Sequence, residues 1–295
     1  MLIAAAPIDA PTAEAIMARA ATENFSVASR VLPRHVRAHL LAIYGFARLV
    51  DELGDADGQS PAERLAALDW LELELERAFA GKAEHRLLVR LGASIRECGL
   101  ARGPFVRLIE ANRVDQLVSR YETWEQLREY CALSADPVGE LVLGVFGLSS
   151  PARIELSNSI CTALQLAEHC QDVAEDRARG RVYLPLEDLA RFGASEMDLA
   201  GEHASEQLRA VLAFEVARAR RLLKEGMPLI AQLRGRPRFA VAAFVAGGYA
   251  ALDAIEQTRY DVLAGPPRAG RARRALALAA ALRGGRRASP GSAAL

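Results

Sequence analysis

Apolar residues recur every three or four positions through most of this chain, and that spacing restricts its fold more than any other feature. After Pro33, the residues Val36, Leu40, Ile43, Tyr44, Ala47 and Val50 fall along one stripe of a 3.6-residue helix. From Pro61, Leu65, Leu68, Leu71 and Leu75 repeat the pattern. No segment alternates apolar and polar residues with period two for long enough to make a strand. The expectation is an all-α chain.

Local signals place the helix ends. "TWEQ" at Thr123 to Gln126 has the form of a capping box and opens a helix through "LREYCAL". "SSPARIELSNSICTALQLAEHCQDVAEDRARG" offers a serine cap, Pro151 in the first turn and Gly180 as the stop. Further helices are expected from about Ser205 to Gly226 and from about Arg238 to Asp261. The apolar run "FAVAAFVAGGYAAL", Phe239 to Leu252, is too short to span a bilayer and suits a buried helix.

With 51% apolar residues in 295, a sizeable core can form. The 37 bases and 37 acids balance, but unevenly along the chain. No acid follows Asp261, whereas Arg268, Arg271, Arg273, Arg274, Arg283, Arg286 and Arg287 do. Removing those seven leaves the body at about −7, which argues against a basic nucleic-acid-binding face. Residues 1–265 are therefore expected to form one helical domain, and 266–295 an Arg/Ala/Gly-rich tail. By composition the tail is mobile, and it also suits an anionic membrane surface. Cys98, Cys131, Cys161 and Cys170 form no CxxC pair or zinc spacing and read as reduced thiols of a cytoplasmic protein. No signal peptide is evident. No GxGxxG or P-loop occurs.

The chemistry starts with carboxylates. "LLAIYGFARLVDELGDADG" puts Asp51 and Asp55 one helical turn apart, with Glu52 beside them. Such residues share one helix face about 6 Å apart. Acids near a helix C-terminus also face the negative end of its dipole. A charged turn would explain them, and so would a divalent cation held between them. No Glu falls twelfth from either aspartate, which excludes an EF-hand loop. A second stripe, Gln165, Glu168, Asp172 and Asp176, runs at three- and four-residue steps. Between Arg153 and Arg177 the only basic residue is His169. A solvated acidic face would usually interleave Lys or Arg. Mg2+ takes oxygen ligands and commonly combines one or two carboxylates with substrate phosphates. Two such stripes therefore suit a diphosphate, whose departure metals would assist. Arg48, one turn before Asp51, and Arg181, after the second stripe, offer the donor fork that phosphate oxygens accept.

These residues also carry a family resemblance. "YGFARLVDELGD" resembles the YAFCRxxDDxxD motif of the squalene and phytoene synthases, and "ALQLAEHCQDVAEDRARGRVYLP" resembles their LQxxNxxRDVxEDxxxGRxYxP. "RYETWEQLREYCALSADPVGELVLGVFG" is similar to the segment between those motifs. The likeness runs from about Asn24 to Arg268. It implies a single helical bundle of the isoprenoid synthase type around a central apolar cavity, with the aspartates of both motifs facing each other. It implies catalytic, Mg2+-binding roles for Asp51, Asp55, Asp172 and Asp176, with Glu168 beside them at the motif's asparagine. Tyr44, Arg48, Gln165, Gln171, Arg181 and Tyr183 match substrate-lining positions, as do Tyr249 and Arg268 on fewer aligned residues.

Within the family, "ENFSVASRVLP" and "SADPVGELVL" look most like the bacterial hydroxysqualene synthases. Glu23 and Asn24 stand where head-to-head condensing members carry bases in a stretch like HSKSF. Asp136 replaces the subgroup's Asn in "SANPVG", a change that would alter a water or cation contact. The resemblance implies Mg2+-dependent conversion of presqualene diphosphate and water to hydroxysqualene. The alternative within the family is condensation of two prenyl diphosphates. It further implies other squalene-pathway enzymes as partners and contact with the inner membrane face, and no nucleic acid. A helical module whose acidic stripes dock a basic partner is the reading outside enzymology. Phe25, Tyr44, Phe46, Phe146, Phe239, Phe244 and Tyr249 sit in apolar helical settings and are expected in the core by the residues alone, and His169 and Cys170 in structural roles.

Overall fold

The computed structural model describes Ala13, Glu14, Ile16, residues 32–267, Gly270 and residues 276–283. Glu23, Asn24, Phe25, Arg268 and most of the tail arginines lie outside the described residues. In chain order the helices are α1 (Arg34–Gly54), α2 (Pro61–Phe79), α3 (Arg86–Cys98), α4 (Arg102–Val114), α5 (Trp124–Ser134), α6 (Asp136–Val145), α7 (Pro151–Gln171), α8 (Val173–Ala178), α9 (Leu186–Arg191), α10 (Glu206–Gly226), α11 (Pro228–Gln232) and α12 (Gly235–Gln257). A 3-10 turn spans Glu196–Ala200, and residues 276–283 form a last helical stretch, α13. The described residues contain no strand, only an isolated parallel bridge between Arg120 and Val182. The protein is all-α.

The chain divides into two compact units, residues 1–118 with 137–149, and residues 119–136 with 150–295. In the first unit α1 packs on α2, α3 and α4. Of the apolar stripe read from the sequence, Val36, Leu40, Ile43 and Val50 are buried and Tyr44 and Ala47 half-buried, while Phe46 and Leu49 join the buried face. Phe46 meets Phe105 edge-to-face, with ring centroids 5.2 Å apart. Truncating either ring to Ala would cost about 3–5 kcal/mol through lost transfer energy and the cavity left behind. In the second unit α7 and α10 pack along each other, and α12 packs on both. Gly226 must be small there, because a Cβ would sit 2.4 Å from Ile160 Cγ1 and 2.8 Å from the Leu156 carbonyl.

The caps follow the sequence closely. Thr123 accepts from the Gln126 amide, Ser150 from Arg153 and Ser205 from Leu208, each by its hydroxyl. Gln126 reaches back to the Glu122 N–H rather than to that of the cap residue. Ser60 and Glu63 close a full capping box that opens α2.

Two helix ends differ from expectation. The helix expected to reach Gly180 breaks at Asp172, whose φ of −102° and ψ of 16° leave the helical region. The helix expected to end at Asp261 stops at Gln257. Arg259 and Tyr260 take positive φ (53° and 61°), a conformation side chains seldom adopt and one that reverses the chain. Asp261 is held in the following loop, where its carboxylate accepts from the Ala204 N–H at 2.9 Å and from Arg209 at 2.7 Å.

α12 is long and apolar enough by composition to cross a membrane, yet half of its most apolar window is buried within its own unit. Phe46 is fully buried, while Phe239 and Phe244 are only partly covered. The four cysteines are free thiols.

Candidate active site

In the first unit, Asp51 and Asp55 stand at the C-terminal end of α1. The Asp55 N–H still donates to the Asp51 carbonyl at 2.8 Å, so both remain on the last turn. Both are exposed. Arg48, one turn earlier, pairs with Glu52 at 3.1 Å, and Tyr44 lies one turn earlier again on the same helix.

The end of α4 comes against this turn. A Cβ on Gly54 would lie 2.2 Å from Asn112 Oδ1, so the glycine lets the Asn112 side chain come this close. Gln116 donates its amide to the Gly54 carbonyl at 2.9 Å, and Asn112 reaches Asp51 at 3.5 Å. Asp115 caps α4.

The Asp51 carboxyl is pushed up to about 7. The protein crowding around it is the largest cause; Arg48 and Asn112 oppose the rise, while Asp55 and Asp115 add to it. Asp51 nevertheless keeps an open side to solvent. That side retains part of its hydration and limits how far the rise can go. At this corner crowding, with Asp55 and Asp115, outweighs Arg48 and Asn112. Asn112, Asp115 and Gln116 were not singled out from the sequence. Their signal is the polar i, i+3, i+4 set in "ANRVDQ", at the end of the helix.

In the second unit, the break at Asp172 bends the acidic stripe without dissolving it. The Asp172 N–H donates to the Glu168 carbonyl at 2.9 Å, and the Asp176 N–H to that of Asp172 at 2.8 Å. Glu168 is exposed, whereas Asp172 and Asp176 are half-buried. The Arg181 N–H bonds the Asp176 carbonyl, so the chain turns back over the stripe directly after it.

His169 is buried beside them, its ring stacked on Tyr183. Tyr183 in turn packs against Tyr130 and Tyr121. Burial pushes the imidazole down to about 3, so it is neutral, and its 3.9 Å approach to Asp176 is not an ion pair. Gln165 contacts His169 Nε2 at 3.4 Å.

Gln171 donates its side-chain amide to the Pro267 carbonyl, tying the segment after α12 to the end of α7. Tyr249 is half-buried on α12, and burial raises its hydroxyl while Arg220 opposes the rise. Arg268, one residue beyond Pro267, is outside the described residues.

Asp136 meets a cation of the protein itself, Arg128. It is buried, accepts from Thr162 at 2.9 Å and pairs with Arg128 at 3.2 Å.

The model for squalene/phytoene synthase matches residues 18–278. The chain belongs to the squalene/phytoene synthase family. It is 37% identical to the hydroxysqualene synthase of Sinorhizobium fredii, over 76% of each chain. It is 35% identical to the 15-cis-phytoene synthase of Synechococcus elongatus, over 81% of this chain and 82% of that one. Among solved structures it resembles squalene synthase HpnC from Alicyclobacillus acidocaldarius, with a TM-score of 0.77 and 45% identity over 85% of this chain and 92% of the other. A squalene/phytoene synthase fold thus carries both acidic stripes, each at a helix end within its own unit.

Among the described residues, no three His, Cys, Asp or Glu side chains already form a metal-ready group. The donor set is carboxylate oxygen, one or two residues at a time. Such a set suits Mg2+, which completes its shell with water and substrate phosphates rather than an all-protein cage.

Proposed function

We propose that this squalene/phytoene synthase family member converts presqualene diphosphate and water to hydroxysqualene and diphosphate, with Mg2+ as cofactor. The observation that carries the diphosphate chemistry is the Asp51 corner. There two exposed carboxylates stand one helical turn apart at a helix C-terminus, and crowding, with Asp55 and Asp115, raises Asp51 against the pull of Arg48. Asp51, Asp55, Asp172 and Asp176 would hold the metal, with Glu168 as a further oxygen donor. Bound Mg2+ supplies charge neutralisation of the leaving diphosphate.

The chain's own residues do the rest. Arg48 and Arg181 bind phosphate oxygens. Tyr44, Gln165, Gln171, Tyr183, Tyr249 and Arg268 line the substrate. Loss of diphosphate leaves a cyclopropylcarbinyl cation, which rearranges and is captured at carbon by water, with release of a proton. The carboxylates of Asp51 and Asp172 would attract the cationic partners of the diphosphate. The neutral His169 is free of positive charge that would oppose a carbocation.

The choice of presqualene diphosphate is supported by Glu23 and Asn24, where condensing members carry bases, and by the 37% identity to a hydroxysqualene synthase. A second reading, head-to-head condensation of two prenyl diphosphates, is favoured by the 35% identity to a phytoene synthase.

The deciding experiment is product analysis of the purified protein with Mg2+. With presqualene diphosphate, hydroxysqualene should form whether or not NADPH is present. With farnesyl diphosphate alone, no presqualene diphosphate should accumulate and no diphosphate should be released. Turnover of farnesyl or geranylgeranyl diphosphate alone would establish the condensing reading instead.

A further inference from the structure

The second unit has a second charged end, made of arginine. Between Glu225 and Asp253 the sequence contains no acid, yet Arg234, Arg236 and Arg238 fall there. They surround the first turn of α12, which has no acid of its own. This reverses the usual preference, because a helix N-terminus already carries partial positive charge.

α13 lies against this turn. Arg238 donates to the Leu282 carbonyl at 3.0 Å. Gly235, Arg238, Phe239, Ala279, Leu282 and Arg283 line a recess of about 490 Å³. Arg234, Arg236 and Arg283 are exposed. Leu276 is 71% exposed, so an uncovered apolar side chain stands on the same helix as Arg283. None of the four arginines pairs with a described carboxylate.

The position of this end follows from contacts within the unit. Gly226, at the end of α10, abuts Leu156 and Ile160 near the start of α7. Arg220 of α10 pairs with Asp253 and Glu256, late in α12. Gly248 faces Leu164, and Gln171 holds Pro267. α12 therefore runs in the same direction as α7, and its arginine-bearing start lies at the end away from Asp172 and Asp176. A helix of this length spans roughly 30 Å. The arginines at the start of α12 and the acidic stripe at the end of α7 therefore lie at opposite ends of the unit.

We propose that the arginine-bearing end of the second unit, formed by the start of α12 and by α13, is a docking surface for an anionic lipid bilayer. Guanidinium groups match phosphate headgroups, and Leu276 with the apolar floor of the recess matches the acyl boundary just beneath them. Nucleic acid would satisfy the arginines but would leave Leu276 without a partner. The acidic stripe, at the opposite end of the unit, points away from the bilayer in this orientation. Six more arginines and no acid lie in the remaining sequence after Asp261 and add to the attraction.

The test is sedimentation of the full chain with vesicles, a readout that needs no substrate and is independent of which diphosphate the protein uses. Binding is expected to phosphatidylcholine vesicles in which one lipid in three is phosphatidylglycerol, with release by high salt and no binding to phosphatidylcholine alone. The triple substitution Arg234→Glu, Arg236→Glu, Arg283→Glu should weaken binding at least tenfold, and Leu276→Ser severalfold. Turnover of detergent-dispersed substrate should stay unchanged in both variants. A triple Arg→Gln variant serves if the Glu variant melts early. Three results would each overturn the proposal: no binding to the anionic vesicles, variants that bind as well as the parent, or displacement from vesicles by duplex DNA that binds the same arginines more tightly.

Discussion

The imidazole of His169 lies 4.0 Å from the ring of Tyr183 and is inclined to it by 14°. The stack keeps an ionisable ring away from water next to the acidic stripe, and burial holds it at about 3, below its ordinary 6.5. Below pH 6.5 the unfolded chain takes up a proton that the folded chain refuses, so stability falls as the pH drops. At pH 5 the loss from this one group is about 2 kcal/mol. His169→Phe keeps a ring in the stack and removes the proton. Urea unfolding of parent and variant at pH 7 and pH 5 should show the variant losing less stability between the two, by about that amount. Equal losses would mean that the ring is already protonated in the folded protein.

A second buried group behaves in the opposite sense. Arg218 is one cation for two acids: it donates to Asp188 at 2.8 Å and to Glu215. Glu215 is fully buried, and desolvation raises its carboxyl to about 8, only partly offset by Arg218. The folded protein keeps a proton there that the unfolded chain releases. Its contribution is therefore full below the ordinary 4.5 and declines as the pH climbs toward 8. Glu215→Gln should cost no more than about 1 kcal/mol at pH 7, because it replaces a neutral group with a neutral one. Arg218→Leu should cost about 3–5 kcal/mol, since it strands two buried acids. Thermal melts across pH 6 to 9 would also show a flatter profile for Glu215→Gln.

Asp136 is the clearest case of a sequence departure that the fold explains. Its oxygens are divided between Thr162 and Arg128. An Asn could still accept from Thr162, but its amide would turn a donor toward the guanidinium. Asp136→Asn should lower stability by about 1–3 kcal/mol with kcat unchanged. Adding Arg128→Gln should recover part of the loss. A drop in kcat without a drop in stability would return Asp136 to the reaction.

Gln171 is a candidate substrate residue that the structure also gives a tethering role, through the Pro267 carbonyl. Gln171→Ala should raise KM severalfold and speed trypsin cleavage at the arginines after Pro267, with the melting temperature nearly unchanged. If KM rises while cleavage stays slow, Gln171 acts on the substrate directly and the tether is incidental.

Much of this was legible in the sequence because the signals are local. Most of the 3.6-residue stripe of α1 is buried, and the Thr123, Ser150 and Ser205 caps bond as their residue types dictate. What escaped was tertiary or conformational. "CQDVAED" has helical composition, yet Asp172 leaves the helix while keeping its hydrogen bond to Glu168. Gly54 looks like a turn residue beside "GDADG", but its smallness answers to Asn112, 58 positions along the chain. Asn112 and Asp115 belong beside Asp51 only once α4 has packed on α1.

Asp51 joins the fold to the proposed chemistry, and one substitution tests both. Its carboxyl is raised first by the protein crowded around it and then by Asp55 and Asp115, so above pH 7 the folded protein carries a charge it would be more stable without. Asp51→Asn removes that charge and keeps a group that can bond Asn112. The metal-free variant should therefore melt higher than the parent at pH 8 and by a smaller margin at pH 5, where the folded parent binds the proton and the unfolded chain does not. If the carboxylate is a ligand for the cations that accompany a diphosphate, the same variant should lose about 100-fold in turnover at saturating Mg2+. It should also need more Mg2+ to reach half its rate. Differential scanning calorimetry and steady-state kinetics on one preparation settle both points. A variant that gains stability and keeps its rate would show that the raised carboxyl is strain without function, and one that loses both would show that Asp51 holds α1 to α4.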